Sequence, residues 1–201
     1  MTAEKTCHPR VLSWLRQLCV VFCLVCYTLR GAADDVTVPI PIQIDLLLKV
    51  ASYDKNLKQR ARERIRVAVI TKQDDADSGR SASQALKALS DVEDVSGLPV
   101  DPLSVIFTDA PALARLVVEG GVSILYVTPG FGEDEMVAIA HALDGVSVLS
   151  AGALAKYTNR GLVLGFDLAG GKPKLLVHLA RAKRQRVELS SSVLKLMRVI
   201  E

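Results

Sequence analysis

From Ile65 onward, short β-branched runs alternate with segments of helical period. Neither kind of segment can bury itself alone. An apolar strand needs cover on both faces, and two parallel strands need a crossover long enough to hold a helix. The alternation therefore predicts an α/β fold of three layers, a mainly parallel sheet flanked by helices, with an antiparallel hairpin closing its C-terminal side.

The elements read as follows. Residues 45–53 form a helix with Ile44, Leu47, Leu48 and Ala51 turned inward, and residues 65–71 are the first strand. Ser81 with Gln84 reads as a capping box opening a helix that buries Ala82, Ala85, Leu86 and Leu89. A turn-rich stretch, 97–102, precedes a strand over 103–107. Asp109 caps a helix with Leu113, Leu116 and Val117 on one face, ended by Gly120-Gly121. Residues 122–127 are a strand. A helix from about Gly132 carries Glu133, Asp134 and Glu135 where acids favour the positive end of its dipole. Residues 146–149 read as a fourth strand and 154–158 as a short helix. Residues 162–168 and 174–179 flank Ala169-Gly170-Gly171-Lys172 as a hairpin. Two helices finish the chain: a basic one over 181–186 and one from Ser190 with Val193, Leu196, Met197 and Ile200 on one face.

The first 33 residues stand apart. Lys5, Arg10 and Arg16 lead into an apolar run of about a dozen residues, and Gly31-Ala32-Ala33 offers small residues for cleavage. This is the pattern of a signal peptide over residues 1–33, cleaved near Ala33 and followed by one domain over residues 34–201 in a periplasm-like compartment. The run is too short for a bilayer span, which takes roughly 20 residues. All four cysteines (Cys7, Cys19, Cys23, Cys26) and Trp14 lie inside it. The exported remainder can hold no disulfide, cysteine metal site or cysteine nucleophile. The net charge of +3 belongs to the same segment, because the rest carries 21 basic and 21 acidic residues. A neutral balance gives no electrostatic ground for nucleic acid binding.

A catalytic centre needs a nucleophile or base and a group to orient it. Only His141 and His178 remain after residue 33, one on a helix face and one between Val177 and Leu179 in a strand, and neither has a partner at metal-ligand spacing. The loop Thr128-Pro129-Gly130-Phe131-Gly132 enters a helix N-terminus but lacks a following lysine, and the acids at 133–135 would repel phosphate. It reads as a plain turn. No catalytic residue, metal or cofactor is expected. Charge is uneven: 13 acids against three cations between Asp74 and Asp144, whereas the C-terminal segment is basic. Arg181, Lys183, Arg184 and Arg186 fall within six residues with no acid among them. They are the candidate surface for association with a partner or with a second copy.

The run from Ala155 to Phe166 (Arg160-Gly161-Leu162-Val163-Leu164-Gly165-Phe166), the hairpin, Ala180-Arg181-Ala182-Lys183-Arg184 and Val187-Glu188-Leu189-Ser190-Ser191-Ser192-Val193-Leu194-Lys195-Leu196 resemble the C-terminal signature of the YfiR-type periplasmic family. The helix bearing Lys49, Tyr53 and Asp54 looks like that family's opening helix. Departures are Arg160-Gly161 in place of a Gly-Gly pair, His178 at a position usually Asn, and no cysteine after residue 33 for the family's disulfides. The resemblance implies a non-enzymatic periplasmic regulator, often dimeric, that binds the outward-facing part of an inner-membrane signalling protein such as a diguanylate cyclase or sensor kinase and holds it inactive. Cyclic-di-GMP output and biofilm behaviour would follow. The alternatives are a solute-binding accessory of a transporter and an envelope hydrolase using His141 or His178.

Overall fold

The computed structural model describes residues 37–200; the leader expected at residues 1–33 lies outside them. The elements are α1 Ile40–Ser52, α2 Leu57–Ala61, β1 Ile65–Thr71, α3 Ala76–Ser90, β2 Asp94–Val95, β3 Leu98–Ile106, α4 Ala110–Glu119, β4 Val122–Val127, α5 Glu133–Ala142, β5 Leu149–Gly152, α6 Lys156–Asn159, β6 Leu164–Ala169, β7 Lys172–His178, α7 Leu179–Arg184, α8 Ser191–Leu194 and β8 Arg198–Ile200. One eight-stranded sheet runs in the order β2-β3-β1-β4-β5-β6-β7-β8. Strands β3, β1, β4, β5 and β6 are parallel, β7 is antiparallel to β6, and β8 lies parallel to β7. The expected three-layer α/β architecture is what the chain forms.

Both faces of the central strands are buried, and period-two alternation divides them. Val67, Val69, Ile124 and Tyr126 meet α1 and α3 through Ile44, Leu47, Ala82, Ala85 and Leu89. Ala68, Ile70, Leu125 and Val127 meet α4 and α5 through Leu113, Val117, Met136 and Ile139. Each such aliphatic side chain contributes about 1.5–3 kcal/mol by leaving water. One buried polar node ties α1 to the sheet. Tyr126 donates its hydroxyl to Gln43 Oε1 (2.8 Å), and Gln43 Nε2 donates to Val38 O (2.7 Å) and Ala153 O (3.1 Å).

Five local expectations need correction. Helix α1 starts at Ile40, five residues before the expected start, with Pro41 in its first turn, where a missing N–H costs nothing. Helix α3 starts at Ala76, five residues before the expected capping box, because Asp75 Oδ1 accepts from Ser78 N at 2.7 Å and caps it there. Strand β3 runs back to Leu98 through two prolines. Val100 N–H points outward to Glu93 O and Phe107 N–H inward to Thr71 O, so even-numbered positions face away from β1 and Pro102 loses a donor where none is needed. Strand β5 begins at Leu149, three residues late, since Gly145 and Val148 donate to Arg184 O and Gln185 O instead of to a neighbouring strand. The last helix stops at Leu194. Val193 and Met197 are buried, but Leu196 is 68% exposed, and residues 198–200 pair with β7 as a strand. The hairpin stands as expected, with Gly170 and Gly171 at φ 58° and 75°, the two positive angles that a type I′ turn requires.

Candidate functional site

Open parallel sheets bind ligands outside the carboxyl ends of their strands, where strand order reverses. Here that point lies between β1 and β4, and the chain's own side chains fill it. Lys72 N–H donates to Ser78 Oγ (2.8 Å), Ser78 and Thr128 hydroxyls meet at 2.6 Å, and Thr128 Oγ1 donates to Ile70 O (2.7 Å). Lys72 Nζ pairs with Glu135 at 2.7 Å, and the same carboxylate accepts from Gly132 N–H at 2.7 Å. The lysine bond, and then the Gly132 bond, hold the Glu135 carboxyl below its usual range. Phe131 packs edge-on against Phe107 at 5.4 Å, and its N–H donates to Tyr157 OH. Burial pushes that hydroxyl up to about 12. The loop at 128–132 thus enters α5 with the N–H of Gly132 already taken by Glu135.

The two histidines stay apart from any partner. His141 is exposed on α5. His178 ends β7 half-buried, its Nδ1 without a hydrogen bond, and burial followed by the charges of Arg181 and Arg184 lowers its proton affinity. Among the described residues no three His, Cys, Asp or Glu side chains gather into a metal-binding group.

The fold does bring together the two segments that carry the family resemblance. Asp54, after α1, is buried and bridges Leu189 in antiparallel fashion. Its carboxylate accepts from Asn56 N (3.1 Å) and Glu188 N (2.9 Å) and pairs with Arg60, whose side chain is 4% exposed. Around it Lys55 N–H donates to Glu188 O, Ser190 N–H to Tyr53 O, and Asn56 Nδ2 to Arg186 O. Tyr53-Asp54 and Val187-Glu188-Leu189-Ser190 thus form one joint, although residues 55–186 separate them.

Beside this joint lies a groove of about 840 Å³ across the amino ends of β1, β4 and β5. Its cations are Arg60, Arg62, Arg64, Arg66 and Arg186, against Glu63 and Glu119. Arg66 is bound to Asp101 (3.1 Å) and to Gly120 O, and Arg64 lies 3.8 Å from Asp101. Arg62 and Arg186 are exposed and have no ion pair among the described residues. Sequence reading singled out Arg186 but missed the other four. The signal was there: arginine stands at every second position from 60 to 66.

The candidate segment 181–186 divides accordingly. Arg181 and Arg184 both hold Asp144, at 2.8 and 3.3 Å. For these two, the expectation of no nearby acid is corrected, because the fold brings Asp144 up from the end of α5. Lys183 is exposed on α7 and lines, with Arg186, Leu179 and Leu194, a smaller cleft of about 360 Å³.

A protein-family model described as YfiR/HmsC-like matches residues 42–198, nearly the whole described chain. The protein belongs to that family, whose members are generally non-enzymatic. Membership suggests a periplasmic regulator of cyclic-di-GMP signalling. No curated protein matches the chain. Among solved structures it is similar to a ligand-free, open substrate-binding protein with adhesive properties from Clostridium difficile (12% identity, TM-score 0.53, 73% of this chain and 58% of that one). It is also similar to the ABC domain in complex with L-Trp from Streptococcus pneumonia (12% identity, TM-score 0.50, 75% and 62%). The chain spans about three fifths of each, and likeness at that identity is one of fold. No helix among the described residues is long and apolar enough to cross a membrane.

Proposed function

We propose that this chain is an exported regulator that binds the periplasmic part of an inner-membrane signalling protein, such as a diguanylate cyclase, and holds its output down. The family match over residues 42–198 carries the reading. Two structural facts support it. The crevice where a fold of this kind would take a small substrate is filled by Lys72, Ser78, Thr128 and Glu135. Among the described residues, neither histidine side chain has a hydrogen-bond partner that would orient it for catalysis. Self-association into a dimer belongs to the same reading. So does a contact surface that includes Lys183 and Arg186, with Arg181 and Arg184 fixing the helix that presents them.

The test is capture of membrane proteins from detergent-solubilised membranes of the native host, with the bound species identified by mass spectrometry. Enrichment of an inner-membrane cyclase or sensor kinase with an exported domain is the expected result. Enrichment of a transporter permease, or of no membrane protein, would overturn it.

A further inference from the structure

Resting on that reading, we propose that the arginine groove at the amino ends of β1, β4 and β5 receives an extended acidic segment of the membrane partner.

Part of the groove's charge has a local cause. Helices α2, α4 and α5 present their C-terminal ends here, and cations favour the negative end of a helix dipole. Arg66, donating to Gly120 O at the end of α4, is explained in this way. Arg62 and Arg186 also follow helix ends, those of α2 and α7, but both are exposed and neither has an ion pair among the described residues, so their charge is open to an occupant. Arg60 lines the groove with a side chain only 4% exposed, its charge held by Asp54.

The spacing selects the occupant. Arg62 and Arg64 stand at the entry to β1, and Arg186 stands near the entry to β5, where Val148 N–H donates to Gln185 O. Strands β1 and β5 lie on either side of β4, so the strand entries that these segments flank are two spacings of about 4.8 Å apart. A groove of about 840 Å³ holds far more than one carboxylate or phosphate. An extended chain presents every second side chain on one side at intervals of about 7 Å, and so reaches both ends within a few residues. No aromatic residue lines the groove to stack a base. Glu63 and Glu119 on its walls favour spaced carboxylates over an unbroken acidic run.

The probe is a fluorescein-labelled heptapeptide of alternating glutamate and serine, with its lysine counterpart as control. Binding is read by anisotropy to the protein expressed with its own leader and purified in the form the cell makes. The wild type binds the acidic peptide and not the basic one. Affinity falls between about 50 and 300 mM salt as exposed charges are screened, and Arg62→Glu with Arg186→Glu weakens binding by about tenfold or more. The neutral pair Arg62→Gln with Arg186→Gln gives an intermediate loss and takes over as the test if the reversal fails to fold. No binding, equal affinity in the variants, or displacement by millimolar inorganic phosphate would overturn the proposal. A wild type and a folded reversal variant that capture the same membrane protein equally well would sink the groove while leaving the proposed function standing. If the wild type captures no membrane protein yet binds the peptide as described, the proposed function fails and the groove stands as an acidic-peptide site.

Discussion

Replacing Asp54 by alanine strikes the joint between the two ends of the domain. Asp54 has a side chain of 0% exposure, accepts from Asn56 N and Glu188 N, and is the ion-pair partner of Arg60, itself 4% exposed. Removing the carboxylate leaves a buried guanidinium without its counter-ion and two backbone N–H groups without an acceptor. Breaking a buried ion pair from one side typically costs about 3–5 kcal/mol, a large share of the roughly 5–15 kcal/mol that holds a domain together. At about 2–4 °C per kcal/mol for a domain of this size, the melting midpoint should fall by roughly 6–20 °C. Differential scanning calorimetry of wild type, Asp54→Ala, Arg60→Met and the double variant measures both the loss and the coupling. The double variant buries no unpaired charge and should be more stable than the sum of the single losses implies by about 1 kcal/mol or more. A midpoint shift below about 2 °C in Asp54→Ala, or strictly additive losses, would refute this account of the joint.

Leu196→Ala should leave stability within about 0.5 kcal/mol, because that side chain is exposed. Met197→Ala, at a buried neighbour, should cost about 2–5 kcal/mol by urea titration. Gly165→Ala drives a Cβ into Thr158 Oγ1 and should destabilise by about 1–3 kcal/mol in the same titration; an unchanged midpoint would show that α6 gives way freely. The lowered proton affinity of His178 means that the unfolded chain takes up its proton first as pH falls below about 6.5. Stability should therefore be highest above that pH and decline below it, and His178→Asn should flatten the decline in melts at pH 5.5 and 7.5. An identical slope in wild type and variant would count against it.

Where periodicity and core burial act together, the sequence was readable. The inward residues of α1, α3 and α4 and the hairpin turn all stand where pattern and turn chemistry put them. Two of the misread boundaries were set by a competing hydrogen-bond partner. Asp75 outcompeted Ser81 as a cap, and Gln185 claimed the N–H of Val148 ahead of β5. The last segment misled because Val193, Leu196, Met197 and Ile200 fit a helical face, while the open edge of β7 offered Arg198, Val199 and Ile200 a ladder instead. The candidate site was half legible. Arg186 stood out in a basic run, whereas the alternating arginines of 60–66 become a site only when β4 and β5 are laid beside β1. Asp144, contributed by another part of the chain, turned Arg181 and Arg184 from free cations into an anchored pair.

The central claim, that the protein restrains a membrane signalling enzyme, is tested most directly by cyclic-di-GMP in the native host. Deleting the gene should raise the cellular level of the nucleotide, and supplying the chain with its own leader should bring it back down. The same chain without residues 1–33 should fail to do so. Unchanged cyclic-di-GMP after deletion, or full rescue by the leaderless form, would contradict the account.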